Sequence, residues 1–110
     1  MHHVYEVSPE AEDDIFEIWC TITEDSITAA NRVEDKIRQA FENLAGFPGQ
    51  GHRRRDLSTR LRFWSVWDYL IAYRPDPLPI LIVAVLHGRR NPDTLAQILM
   101  ARQKKGPELP

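Results

Sequence analysis

The chain has one cysteine in 110 residues, so no internal disulfide can brace it. A lone Cys20 fits a reducing compartment, and its expected place is as apolar filler at the end of a helix. Long apolar runs are missing too. The longest, Pro79 to Leu86, is far too short to cross a bilayer. Met1 to Glu6 have neither a basic start nor an apolar stretch, so no secretory signal is expected there. A glycine-rich phosphate loop is absent as well, because Gly46, Gly49 and Gly51 follow a helical pattern instead of joining a strand to a helix. Metal binding is poorly provided for: neighbours such as His2 and His3 point to opposite faces of a strand, and no Cys or His follows at ligand spacing. The expectation is a small cytoplasmic protein with no cofactor, no metal and no membrane segment.

The residues present are those of a soluble globular domain, 43% hydrophobic and 27% charged. At this length folding hides roughly two-thirds of the unfolded surface, enough for one core. The net charge of −2 conceals a division. Up to Gly46 there are eleven acidic residues against three basic ones; from Phe47 onward there are five against eleven. A basic half of that density attracts polyanions or an acidic peptide. Two solvated acidic helices beside a basic sheet edge would give the same division, so charge alone does not choose.

The segment His3 to Val7 reads as a short strand. Ser8 is a helix N-cap, Pro9 suits the first helical position, and Glu10, Glu12, Asp13 and Asp14 place negative charge at the positive end of the helix dipole. Ala11, Ile15, Ile18, Trp19 and Ile22 then recur at helical spacing. After a break at Glu24 to Ser26, where Asp25 or Ser26 can cap, a longer helix carries Ala30, Val33, Ile37, Ala40, Phe41 and Leu44. Gly46 is placed to end it in the left-handed conformation, and Pro48 bars continuation.

Phe47 to Thr59 loses all periodicity and reads as a surface loop holding the Arg53-Arg54-Arg55 run. Arg62 to Trp67, Tyr69 to Arg74 and Ile80 to His87 are rich in aromatic and β-branched residues and read as antiparallel strands. The last of them does not alternate, which predicts burial on both faces. Asn91 can cap a short final helix starting at Pro92, with Leu95, Ile98 and Leu99 as its apolar stripe, and Arg102 to Pro110 are expected to fray. The whole predicts one α+β domain over residues 1–110. Its parts are a strand, a two-helix hairpin, a three-stranded antiparallel sheet (four strands in all), and a short C-terminal helix and tail over 92–110.

That order of elements, with Leu57-Ser58 ahead of Arg62-Phe63-Trp64-Ser65-Val66, then Tyr69-Leu70-Ile71-Ala72-Tyr73-Arg74-Pro75 and Val85-Leu86-His87-Gly88-Arg89-Arg90-Asn91, resembles the RelE/ParE superfamily of bacterial toxins, and within it the ParE branch. So does the helix ending Ala40-Phe41-Glu42-Asn43-Leu44-Ala45-Gly46-Phe47-Pro48-Gly49. The likeness runs from about Val4 to about Asn91. It implies a toxin encoded beside a ParD-like antitoxin and held inactive by a long antitoxin segment lying across sheet and helices. DNA would be met only indirectly, through the antitoxin complex. ParE-type members are associated with inhibiting DNA gyrase, whereas RelE-type members cut messenger RNA on the ribosome.

The two activities ask for different residues. RNA cleavage needs a base for the ribose 2′-hydroxyl, cations for the phosphate and a proton for the leaving oxygen, for which Arg62, His87 and Arg89 are the candidates. His87 reads more readily as a strand-end histidine whose ring bonds a neighbouring backbone group. RelE-type catalysts resemble one another in carrying a Tyr or His-Tyr near the C-terminus; here no tyrosine follows Tyr73. Binding to an antitoxin or target instead draws on Arg53, Arg54, Arg55, Trp64, Trp67, Tyr73, Arg74, Arg89 and Arg90, arginines for carboxylates and aromatics as anchors. The aromatics on two short strands cannot all face one core, so a heteromeric complex is the expected resting state, with an acidic, partly disordered antitoxin that orders as it binds.

Overall fold

A computed structural model describes residues 4–104. The order is β1 (Tyr5–Val7), α1 (Pro9–Thr23), α2 (Ile27–Gly46), one 3-10 turn (Pro48–Gln50), β2 (His52–Arg54), β3 (Ser58–Val66), β4 (Tyr69–Arg74), β5 (Ile80–His87) and α3 (Pro92–Lys104). The strands form one sheet in the order β1-β5-β4-β3-β2, so the class is α+β with a mixed sheet. Two expectations are corrected. There are five strands, because His52–Arg54 pairs with β3 at the edge, and the sheet is not wholly antiparallel, because β1 runs parallel to β5. The basic triplet carries no apolar periodicity, and a charged three-residue edge strand has none to show.

Local chemistry sets the helix ends. The Ser8 hydroxyl accepts from the Ala11 N–H at 3.1 Å, and the Ser26 hydroxyl from Ala29 at 3.0 Å. The Asn91 side chain accepts from Asp93 at 2.7 Å. Gly46 does not take the left-handed conformation: it stays in α2, and the chain leaves the helix at Phe47 with φ −139°. Pro48 disfavours the helical region for the residue before it. The left-handed turn occurs elsewhere, at Trp67 (φ 53°) in the tight β3–β4 hairpin.

Two apolar layers flank the sheet. Between the α1–α2 pair and the sheet pack Ile15, Ile37, Phe41, Ile71, Ile82 and Val85; between α3 and the sheet pack Leu61, Phe63, Ala84, Leu86, Leu95 and Leu99. The broken alternation of β5 has two causes. Both its faces are covered, and the β4–β5 register shifts between Ala72 (opposite Ala84) and Tyr73 (opposite Ile82), so Val83 and Ala84 both face α3.

Because β1 has only three residues, it pairs β5 only over Ile80–Ile82. The backbone groups of β5 beyond that point are met by side chains. Val85 N–H donates to Asp14 Oδ2 at 2.9 Å, and the Val83 carbonyl accepts from Arg102 Nη1 at 3.1 Å. Asp14 and Arg102 also bond each other twice, at 2.6 and 2.9 Å. This clamp ties α1, the bulged strand and α3 together, and it corrects the expectation that the chain frays from Arg102; Lys105 to Pro110 lie outside the described residues.

Candidate partner-binding surfaces

The candidate residues divide into a framework group and two exposed groups. Tyr73 belongs to the framework. It is fully buried, and its hydroxyl accepts from Gly51 N–H at 3.0 Å and donates to the Pro48 carbonyl at 2.7 Å. Burial raises its pKa above the ordinary value, opposed by the Gly51 bond and the charges of Arg62 and Arg53. Arg62 Nη1 grips the Gly51 carbonyl at 2.7 Å, so both side chains fix the segment leaving α2, and Tyr73 offers no surface to a partner. Trp64 is half-buried against the α1–α2 layer and stacks on His52 at 6.0 Å.

One exposed group lies at the β3–β4 turn. Trp67 is 56% exposed despite its left-handed backbone, a conformation unfavourable for a bulky side chain. Arg89 approaches Asp68 at 3.8 Å, and the Gly88 N–H bonds the Asp68 carbonyl at 2.8 Å, so the β5–α3 turn is fastened to the hairpin tip. Arg90 is exposed beside it. His87 is also exposed here, its ring set edge-on to Tyr69 at 5.5 Å.

The other group lies at the opposite end of the same strands. Arg54 is neutralised by Asp56 at 2.8 and 3.1 Å, which raises the Arg54 pKa and lowers that of Asp56. Arg53 reaches the Thr59 carbonyl at 3.4 Å, and Arg55 has no carboxylate partner among the described residues. Arg74 is exposed in a cleft with Arg60 and Arg102.

The residues proposed for RNA cleavage are not brought together. His87 is opposite Tyr69 and Arg62 opposite Tyr73, which separates them by about 13 Å along the strands and about 9.5 Å across them. Arg62 is moreover turned onto Gly51. Only His87 and Arg89 share a neighbourhood, the Arg89 N–H lying 3.5 Å from the imidazole Nδ1. No cluster of three metal-ligating side chains occurs among the described residues, and none of their helices is long and apolar enough to cross a membrane. His2 and His3 fall outside the described residues.

Sequence comparison supplies the context for this geometry. Residues 5–92 match the family described as "ParE toxin of type II toxin-antitoxin system, parDE". The chain belongs to the ParE toxin family. It is also similar to Toxin ParE3 of Caulobacter vibrioides, 32% identical over 65 residues. That match covers 59% of the chain and 65% of the relative's length, so the chain spans a little under two-thirds of that protein.

The ParE match ends where α3 begins, leaving nearly all of that helix outside the matched residues. Two surface features escaped sequence reasoning. Arg60 and Lys104 carry no motif and were passed over, although they line adjoining clefts under α3. Phe16, 65% exposed, stacks on Trp19 at 6.4 Å on the outer side of the helix hairpin. Its position off the Ala11-Ile15-Ile18-Ile22 stripe was the signal that could have found it.

Proposed function

We propose that this chain is the toxin of a type II toxin-antitoxin pair, a single cytoplasmic domain neutralised by a ParD-like antitoxin in a heteromeric complex. Freed from that partner, it arrests bacterial growth by binding DNA gyrase. It acts by contact, without catalysis of its own and without a cofactor. Family membership supports the toxin role. The observation that carries the mode of action is the hairpin tip, where a tryptophan is held exposed in a backbone conformation that favours glycine, flanked by Arg89 and Arg90. An exposed aromatic beside arginines has the composition of a protein-binding hot spot.

The test is a paired assay of the purified chain, freed from its antitoxin, on gyrase supercoiling and on ribosome-bound message. The expected result is blocked supercoiling with intact message, abolished by Trp67→Ala and unaffected by His87→Ala. Cut message with normal supercoiling would overturn the reading and make His87 and Arg89 the first residues to test as catalysts.

A further inference from the structure

The outer side of the helix hairpin carries an aromatic patch that the core does not use. Phe16 is 65% exposed and stacks on Trp19, whose indole Nε1 donates to the Asn31 side chain of α2 at 2.9 Å. Ile27, one turn before Asn31, is 62% exposed and extends the patch along the seam between the helices. There Phe16, Trp19 and Ile15 wall a cleft of about 290 Å³ together with Glu12, Glu34 and Arg38. Two carboxylates share one guanidinium in that wall, at 2.8 Å from Glu12 and 3.1 Å from Glu34, so the cleft keeps a net negative charge. It also belongs to the half of the chain, up to Gly46, with eleven acidic residues against three basic ones. The β3–β4 tip has the opposite character. Trp67 is exposed there beside Arg89 and Arg90, and Arg90 has no carboxylate partner among the described residues.

We infer that the cleft receives the hairpin tip of a second copy of this chain, Trp67 packing on Phe16 and Trp19 while Arg89 and Arg90 meet the acidic rim. Charge complementarity selects this arrangement. A two-fold contact of helix hairpin on helix hairpin would set the carboxylates against their own copies, and tip on tip would do the same to Arg89 and Arg90. Tip on hairpin instead pairs unlike charges and brings aromatic to aromatic. The two surfaces belong to different layers, the cleft on the outside of the helix pair and the tip at the end of the sheet. Each molecule therefore gives one surface and receives on another, and every assembly keeps one cleft and one tip unfilled unless it closes into a ring. The inference is independent of the toxin reading, since it concerns the chain alone.

The test is sedimentation velocity of the purified full chain without partner proteins, with a reductant present so that Cys20 cannot link copies. Over roughly 1–100 µM, a range suited to a small contact, the average mass is expected to rise past that of a dimer in about 0.05 M salt and to fall back toward the monomer in about 0.5 M. Phe16→Gln loses the cleft and Trp67→Gly the tip, and circular dichroism verifies that both fold. Each is expected to be monomeric alone. Mixed in equal amounts, they form a dimer and nothing larger, because only one tip and one cleft of each pair remain intact. Arg89→Glu/Arg90→Glu, which leaves the β3–β4 turn untouched, is expected to abolish association of the otherwise native chain. A wild type that stays monomeric throughout would overturn the inference and leave the cleft to a different protein. Undiminished association of any one variant, or a mixture that stays monomeric, would overturn it too, the former pointing to a two-fold contact through the surface left intact.

Discussion

Replacing Asp14 by alanine removes the acceptor of three bonds at once: one from the Val85 N–H and two from Arg102. The pair is well shielded, with side-chain exposures of 18% for Arg102 and 10% for Asp14. Breaking one partner of a buried pair costs about 3–5 kcal/mol, because the surviving charge stays buried without compensation. Here the lower part of that range applies. Arg102 keeps its bond to the Val83 carbonyl and still feels Glu10 and Asp13. The orphaned Val85 N–H is part of the same loss and is not added to it. A cost of about 3 kcal/mol is a large share of the roughly 5–15 kcal/mol that holds a domain together. It corresponds to a fall of about 10–20 °C in the melting temperature at this size. Asp14→Asn retains an acceptor for Val85 but not the charge, so it falls between wild type and alanine. In urea titrations followed by circular dichroism, the Asp14→Ala/Arg102→Met double variant is more stable than the sum of the single losses by at least about 1 kcal/mol, since neither charge is then stranded. Single costs below about 1 kcal/mol that simply add would refute the clamp and reduce the contact to the value of an exposed surface pair.

Two further substitutions probe the other local arguments. Gly51→Ala places a Cβ 2.5 Å from the Tyr73 hydroxyl and 2.7 Å from its ring, at a backbone φ of −69° that any residue tolerates, so the cost is steric. About 2–3 kcal/mol is expected from denaturant midpoints, part of it recovered in a Tyr73→Phe background, and a strictly additive pair would show that the two residues do not compete for space. Trp67→Gly relieves the left-handed backbone and is expected to be neutral or more stable by up to about 1 kcal/mol, while losing growth arrest in cells. A clearly destabilised glycine variant would mean that the indole packs on the fold instead of waiting for a partner.

Periodicity carried most of the architecture. Ser8-Pro9 and the Ala11-Ile15-Ile18 spacing located α1, and the caps Ser26 and Asn91 fell where a short polar residue precedes an apolar stripe. The unbroken apolar run of β5 announced a strand buried on both faces, although the bulge that helps to cause it left no mark. What stayed hidden depends on pairing. A parallel and an antiparallel neighbour ask for the same residues at Tyr5–Val7, and His52–Arg54 becomes a strand only because β3 is there to bond it. For the candidate site, composition identified the arginines but not their duties: Arg62 holds a carbonyl, Arg54 is spent on Asp56, and Arg74 remains available.

The clamp and the groove that holds Arg60 and Arg74 are connected by a single side chain. Arg102 lies between them, committed on one side to Asp14 and the Val83 carbonyl and forming a wall of the groove on the other. A helix of 13 residues with only Leu95 and Leu99 fully buried has little apolar area to hold it on the sheet. The ion pair at its far end therefore contributes positional precision that the small stripe cannot. An arginine already neutralised within the fold does not compete for a partner's carboxylate, which leaves that attraction to Arg55, Arg60 and Arg74. Loss of Asp14 would then act twice, loosening α3 from β5 and leaving the Arg102 guanidinium unneutralised in the wall it shares with Arg60 and Arg74.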